Sequence, residues 1–453
     1  MNILIAGCGK IGITILADMV KEGHNVTIMD TNQSVLTSLT DIYDIMSLCG
    51  NGVNCEMLYE AGIENIDVFV ATTGSDETNM LACFLAKRMG AKHTIARVRN
   101  PEYTERNMKF MKQHLDISII LNPEHLAAGD LFDILKLPSA IKVEQFSRRN
   151  FQLIELKLKE KSLLDGMNLM EVRAKYPSEY LICAVQRDDN IYIPNGKFVL
   201  HSGDKIGIIG KDNEIQKLFG SLGLLKKQAK KVMIIGGSRT AINLAQRLLS
   251  IGINVKIIDK DEKKCLELCE RLPKAEIIHG DGSQQELLLE EGLLNQDAFV
   301  TLTGIDEENI LLSYFATSQN VSTVLSKVNS DQLSFLAEKL GLEQIVSPRK
   351  ATTDIIIRYV RALQNSIGSN IETLYQLMDD KVEALEFIVN SESKLLGIPL
   401  KNLSLRKNTL IAGIVRNRKT IIPGGNDAIF HGDRVIVITA DRRLQNLEEI
   451  LAN

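Results

Sequence analysis

The chain is one unit written twice. Ile3-Leu-Ile-Ala-Gly7 recurs as Val232-Met-Ile-Ile-Gly236, and Asn25-Val-Thr-Ile-Met-Asp30 as Asn254-Val-Lys-Ile-Ile-Asp259, both displaced by 229 residues. After a one-residue insertion the displacement is 230. Gly50-Asn-Gly52 then answers Gly280-Asp-Gly282, Ala61-Gly62 answers Glu291-Gly292, and Thr73-Gly74-x-Asp76-Glu77-x-Asn79 answers Thr303-Gly304-x-Asp306-Glu307-x-Asn309. The later part of each unit repeats as well: Leu181-Ile182 through Arg187 matches Leu410-Ile411 through Arg416. Likewise Pro194-Asn-Gly196 with Gly203-Asp204 matches Pro423-Gly-Gly425 with Gly432-Asp433. Such a chain must build one architecture twice, in the order N1, C1, N2, C2. Its 453 residues also exceed what a single core sustains, roughly 250 to 300.

Within N1, short apolar runs (Ile3 to Ala6, Val26 to Met29, Val68 to Ala71, Thr94 to Val98) alternate with helical patterns, beginning with a helix from about Gly12 to Glu22. Strands alternating with helices predict βαβ units on a parallel sheet. Gly7-Cys8-Gly9-Lys10-Ile11-Gly12 ends the first strand and opens the first helix, and Asp30 closes the second strand 18 residues after Gly12. In that setting Gly7 permits the tight turn, Gly9 lets a diphosphate approach the backbone, and Gly12 lets helix and strand pack closely. The helix N-terminus adds free N–H groups and partial positive charge.

Asp30 suits the hydroxyls of an adenosine ribose and repels a 2′-phosphate, which disfavours NADP but does not separate NAD from ATP or ADP. Lys10 either faces solvent or meets a terminal phosphate. Thr72, Thr73 and Gly74 end a later strand on the edge where ligands of open α/β sheets sit. Arg97 and Arg99 end another, to reach phosphate or to form structural ion pairs.

N2 is not an equal copy. Its loop reads Gly236-Gly237-Ser238-Arg239-Thr240-Ala241, so Ser238 puts a Cβ and a hydroxyl where a diphosphate would approach. Asp259, Thr303 and Gly304 persist, Arg239 stands for Lys10, and Lys327 for Arg97. The second site is expected to bind more weakly, to prefer a different adenine nucleotide, or to be empty.

The C parts supply no catalytic dyad. Each has a β-rich stretch (Phe151 to Leu158; Ala384 to Val389), a strand ending in Arg187 or Arg416, and a last strand introduced by Gly-Asp. His201 and His431 precede those Gly-Asp turns without holding one aligned position, as turn residues do. A hydride-transfer enzyme needs an acid/base group near the nicotinamide, so an NAD-dependent oxidoreductase is disfavoured.

With 53 basic and 57 acidic residues, no strong field of either sign attracts nucleic acid. The cluster Lys226, Lys227, Lys230 and Lys231 reads as a solvated linker. The seven cysteines contain no C-x-x-C pair, so reduced, mostly buried thiols and no metal site are expected. No uncharged run reaches the roughly 18 residues of a bilayer span, and Met1 leads directly into a strand, which points to the cytosol.

The series Gly7-x-Gly9-x-x-Gly12 with Asp30, Gly50-Asn-Gly52, Thr72-Thr73-Gly74-x-Asp76-Glu77-x-Asn79 and Ala96-Arg97-Val98-x-Asn100-Pro101 resembles an RCK (KTN) domain, a regulator of potassium conductance, and the C parts resemble its companion TrkA-C domain. The resemblance covers nearly the whole chain. It implies an α/β chain of two tandem Rossmann-like (doubly wound parallel sheet) domains, each followed by a small α+β TrkA-C domain, with bounds 1–122, 138–222, 230–350 and 368–453. It further implies a non-enzymatic, peripheral cytosolic subunit beneath an integral-membrane Trk-type potassium channel or transporter, gating it in response to NAD(H), ATP or ADP. Regulation of another cation transporter or antiporter is the alternative. A ring of eight N domains, hence a tetramer, and a cyclic dinucleotide in a C domain are also family expectations. The residues carried over are Gly7 to Gly12, Asp30, Thr73, Gly74 and Arg97, and in the second unit Gly236 to Ala241, Asp259, Thr303, Gly304 and Lys327.

Overall fold

The structure is a computed structural model and describes residues 1–100, 103, 105–137, 140–146, 151–224, 229–365, 371–378, 381–417, 419–440, 444 and 446–452. N1 has strands β1 (Asn2–Ala6), β2 (Asn25–Asp30), β3 (Met46–Cys49), β4 (Val68–Ala71), β5 (His93–Arg97) and β6 (Ile119–Leu121). They alternate with helices α1 (Lys10–Lys21), α2 (Gln33–Thr40), α3 (Cys55–Glu60), α4 (Asp76–Arg88) and α5 (Glu105–His114), and α6 (Pro123–Lys136) leads out of the domain. The sheet order is β3-β2-β1-β4-β5-β6, all parallel. This is the doubly wound dinucleotide-binding order. Every residue of the central strand β4 is buried, as helices on both faces demand.

C1 comprises β7 (Lys142–Phe146), β8 (Phe151–Lys157), α7 (Leu169–Lys175), β9 (Tyr180–Arg187), β10 (Asn190–Tyr192), β11 (Lys205–Lys211) and α8 (Asp212–Ser221). Its sheet is antiparallel, in the order β10-β9-β11-β8-β7. The arginine that ends β9 and the aspartate that opens β11 turn out to be partners. Arg187 Nε and Nη2 donate to the two oxygens of Asp204, each at 2.8 Å.

N2 repeats N1 with β12 (Lys231–Ile235), α9 (Arg239–Ser250), β13 (Asn254–Asp259), α10 (Glu262–Arg271), β14 (Glu276–His279), α11 (Gln285–Glu290), β15 (Ala298–Thr301), α12 (Asp306–Ser318), β16 (Thr323–Lys327), α13 (Asp331–Lys339), β17 (Ile345–Val346) and the exit helix α14 (Pro348–Asn365). Lys231 therefore belongs to a strand, a correction to the linker reading, and Lys226 and Lys227 lie outside the described residues. C2 repeats C1 with β18 (Ile371–Leu377), β19 (Val382–Ile388), β20 (Thr409–Arg416), β21 (Lys419–Ile421) and β22 (Arg434–Thr439). Arg416 grips Asp433 in the same bidentate way, at 2.9 and 2.7 Å.

The two N domains are joined by exchanging their exit helices. α6 lays Ala127, Ala128, Leu131 and Leu135 against Ala241, Leu244, Ala245 and Leu248 of α9, so the helix leaving N1 is part of the N2 core. α14 lays Ile356, Ile357 and Val360 against Ile15, Leu16 and Met19 of α1, so the helix leaving N2 completes N1. Both helices start alike, at Pro123 and Pro348, because proline preorganises a first turn whose N–H has no intrahelical partner. The C sheets pack face to face: Phe151, Leu153 and Ile209 of C1 share a core with Tyr375, Leu377, Ala384 and Ile438 of C2. Across this seam the buried carboxylate of Glu155 accepts from Met378 N at 2.9 Å.

His24, in the α1–β2 turn, is only 8% exposed, and burial pulls its pKa down from 6.5 to about 4. A folded value below the unfolded one means the unfolded chain takes up the proton first, so this contribution to stability is intact above about 6.5 and is lost as pH falls toward about 4. Thermal melts across that window should therefore show His24→Gln losing less stability on acidification than the wild type. Parallel curves would show that His24 is not the group responsible.

Candidate nucleotide site

The first glycine loop sits at the carboxyl edge of β1, between β2 and β4. Gly7 has φ +99°, and a Cβ there would lie 2.6 Å from Thr73 N, so the turn requires glycine. A Cβ on Gly12 would meet Gly7 O at 2.0 Å, so α1 can approach the loop only without a side chain at that position. Gly9 is different: a Cβ there meets nothing within 4 Å. Gly9 is also the N-cap of α1 and provides no side-chain hydrogen bond, which leaves first-turn N–H groups without a side-chain acceptor. Open space and free donors together form an anion cradle.

The surrounding residues hold the cradle in place. Asp30 Oδ2 accepts from Cys8 N at 2.6 Å and Oδ1 from Asn32 N at 2.9 Å, so Asp30 ties the loop to β2. Thr72 Oγ1 donates to Gly7 O at 2.8 Å. Thr73 N and Oγ1 both donate to Asn79 Oδ1, at 2.8 and 2.7 Å, while Asn79 Nδ2 donates to Arg97 O at 2.9 Å. Asp76 Oδ2 accepts from Arg99 N and Asn100 N at 2.8 and 2.7 Å. Asp76 and Asn79, which the repeat singled out without a role, thus lock the β4 edge to the β5 edge. The half-buried Arg97 makes no ion pair among the described residues. Its Nη2 donates to Thr73 O and its Nε has no partner there. Lys10 is exposed, as is Gly74, and Ile11 is half-buried at the start of α1. The Cys8 thiol is pushed up to about 12, by burial and then by the Asp30 charge, so it stays neutral.

The second loop keeps the frame and fills the opening. Gly236 repeats the positive φ at +94°, and Asp259 Oδ2 accepts from Gly237 N at 2.6 Å. Ser238, however, caps α9: its hydroxyl accepts from Ala241 N at 3.4 Å, taking up a donor that the first loop leaves free. Thr240 is buried, and Leu302 stands where N1 has the Thr72 latch. Asp259 is 7% exposed with Lys264 Nζ 3.8 Å away, a cation where N1 has Val35. Thr303 and Asn309 reproduce the Thr73 and Asn79 lock, with Asn309 Nδ2 donating to Lys327 O at 2.9 Å. Gly304 is exposed, and burial holds the Lys327 ammonium below its ordinary pKa.

The two edges face each other. A groove of about 590 Å³ has one wall from N1, Gly74 to Glu77 with Arg99 and Asn100, and the other from N2, Gly237 to Arg239 with Lys264 and Arg271. Burial, then the like charges of Arg99 and Arg239, lower the pKa of Arg97 against the opposing carboxylates of Glu124 and Asp76, and the groove carries Glu77 and Glu267 beside its cations, with Arg271 3.0 Å from Glu267. Lys264 and Arg271 carry no periodic or motif signal, and only the exchange of exit helices brings them opposite Arg99. Among the described residues no cluster of three or more metal-ligating side chains occurs, and no helix is long and apolar enough to cross a membrane.

Comparison with known proteins settles the lineage. The TrkA-N domain model matches residues 3–123 and 232–348, and the TrkA-C domain model matches 153–223 and 384–452. The chain belongs to the TrkA family. It is 32% identical over 455 residues to a Trk system potassium uptake protein TrkA homolog of Archaeoglobus fulgidus, covering 99% of this chain and 100% of that protein. To the TrkA of Haemophilus influenzae it is 28% identical, covering 99% and 98%. In fold it is similar to the GsuK channel bound to NAD, with TM-score 0.65 and 16% identity over 97% of this chain and 76% of that one. GsuK bound to ADP matches at TM-score 0.52 and 13% identity over 80% and 69%. TrkA membership places the chain among potassium-transport proteins and sets the oxidoreductase reading aside.

The glycine geometry separates fold from binding. Gly12→Ala should cost about 1 to 3 kcal/mol by overpacking against Gly7 O. Gly9→Ala should stay within about 1 kcal/mol of the wild type while sharply weakening nucleotide binding. Melting and calorimetric titration with NADH and ATP check both. Undiminished binding by Gly9→Ala would exclude this cradle as the diphosphate site.

Proposed function

We propose that this TrkA-family chain is a peripheral regulatory subunit at the cytoplasmic face of a Trk-type potassium uptake system, and that nucleotide bound in N1 gates the membrane potassium-translocating subunit. The observation that carries this reading is the unobstructed cradle at Gly9, whose neighbouring turn at Gly7 packs on Thr73, next in sequence to Gly74 on the N1 wall of the inter-domain groove. A nucleotide held at the cradle and reaching past Gly74 toward the groove would favour one spacing of its two walls. A nucleotide that binds two ring shapes with different affinity therefore shifts the population between them, and one that binds both equally moves nothing. NAD(H), ATP and ADP all fit an adenosine ribose at Asp30, and the fold neighbour GsuK is seen with NAD and with ADP.

Ring assembly has a surface to use. On α4 and α5, Leu81 and Phe110 are 49% and 62% exposed, and on the matching α12 and α13, Leu311 and Phe335 are 68% and 64% exposed. Large apolar side chains clustered on a surface mark contact sites, and the same face on every N domain suits a closed ring. Four chains would supply its eight N domains.

Two measurements bear on this. Cells lacking the chain should lose potassium uptake at low external potassium and regain it when the chain is returned; in the reconstituted system ATP and ADP, or NAD and NADH, should differ in their effect on open probability. Unchanged uptake counts against the subunit role, and identical effects within both pairs remove the switch. Separately, Leu311→Asp combined with Phe335→Asp should lower the mass seen by light scattering from a tetramer to a smaller species, whereas an unchanged mass excludes these faces as ring contacts.

A further inference from the structure

The two units differ where their N and C domains meet. Glu22, the C-cap of α1, receives a two-pronged bond from Arg361 of α14: Nε to Oε2 and Nη2 to Oε1, both 2.7 Å. The third arm of the same guanidinium, Nη1, donates to Glu383 Oε1 of β19, also at 2.7 Å. The side chains of Arg361, Glu22 and Glu383 are 12%, 16% and 2% exposed. Around this clamp a single apolar cluster runs from Ile15 and Leu16 of α1 through Ile356 and Val360 of α14 to Leu385 and Phe387 of β19.

The other unit has none of the three groups. Ile251 stands at the position of Glu22 and Lys136 at that of Arg361, with the Lys136 ammonium over the Phe132 ring instead. Gln152 takes the place of Glu383, since it pairs Gly210 as Glu383 pairs Thr439. Among the described residues the C1 core is also a cluster separate from the one that joins α6 to N2.

α1 carries the phosphate cradle at one end and the clamp at the other, across a 12-residue helix of about 18 Å. A desolvated charge cannot part from its partners without leaving them uncompensated, so a shift of α1 carries Arg361 and β19 with it. We propose that the ligand state of N1 is transmitted through α1 and the Arg361 clamp to C2, while C1, which has no such clamp to N2, is reached through the core it shares with C2, so that each chain has one reporting arm and one scaffolding arm. This rests on nucleotide binding at Gly7 to Gly12.

The test uses the full chain with NADH and with ATP. Calorimetry first measures affinity, and hydrogen exchange with and without nucleotide then follows β19 (Val382–Ile388) and β8 (Phe151–Lys157). The wild type should show several-fold slower exchange in β19 on binding, with a markedly smaller change in β8, which meets C2 across the shared core. Glu22→Gln, and Arg361→Lys as a second variant that keeps a cation beside Glu383, should bind nucleotide within two-fold of the wild type and lose the β19 response. Equal responses in β8 and β19, or a β19 response that survives in both variants, would overturn the route while leaving the nucleotide reading intact. Absence of binding by both nucleotides in the wild type would instead overturn that reading, and the route with it.

Discussion

The packing of α6 on α9 and of α14 on α1 is the contact on which the rest of the molecule depends. Each N domain on its own would leave the apolar face of its first helix bare. Burying that face under the helix leaving the other N domain satisfies it at roughly 25 cal/mol per Å² of apolar surface. The exchange also fixes where everything else lies. It turns the carboxyl edges of the two Rossmann sheets toward each other, which makes the groove, and it delivers the chain to C1 and C2 so that their sheets meet face to face.

Within that frame the duplicated halves have diverged at small scale. The same backbone turn, with φ +99° at Gly7 and +94° at Gly236, leads into a helix whose first turn has no side-chain cap in N1 and is capped by Ser238 in N2. A hydroxyl that satisfies its own helix reduces the pull of that helix on an outside anion. The Thr73–Asn79 and Thr303–Asn309 locks use the same partners, so the later strand edge is braced alike in both domains, whereas the Thr72 latch on Gly7 O has no counterpart at Leu302. Asymmetry at the clamp runs in the same direction, since Glu22, Arg361 and Glu383 meet only where the open cradle is.

Much of this was legible in the residues. Alternating apolar runs with the glycine loop and a distant aspartate place β1, α1 and β2 within a residue or two, because period and turn chemistry are local properties. The repeat marked Asp76 and Asn79 as meaningful without revealing their function. Their hydrogen bonds reach residues 18 to 24 positions away, a separation that no local pattern encodes. Likewise the arginines ending β9 and β20 and the Gly-Asp turns before β11 and β22 were visible as separate features, and only the antiparallel pairing of those strands joins each arginine to its aspartate.

The sequence alone therefore determined the duplicated architecture, the cradle at Gly7 to Gly12 with Asp30, and the loss of the open position at Ser238. Tertiary structure decided which domain completes which. The groove that sets Arg99 against Arg239 and Lys264, and the clamp that joins Glu22 to Glu383 through Arg361, bring together residues more than a hundred positions apart. Such pairings follow from how exposed apolar helix faces find cover, and burial of that kind is a property of the whole chain that no single segment records.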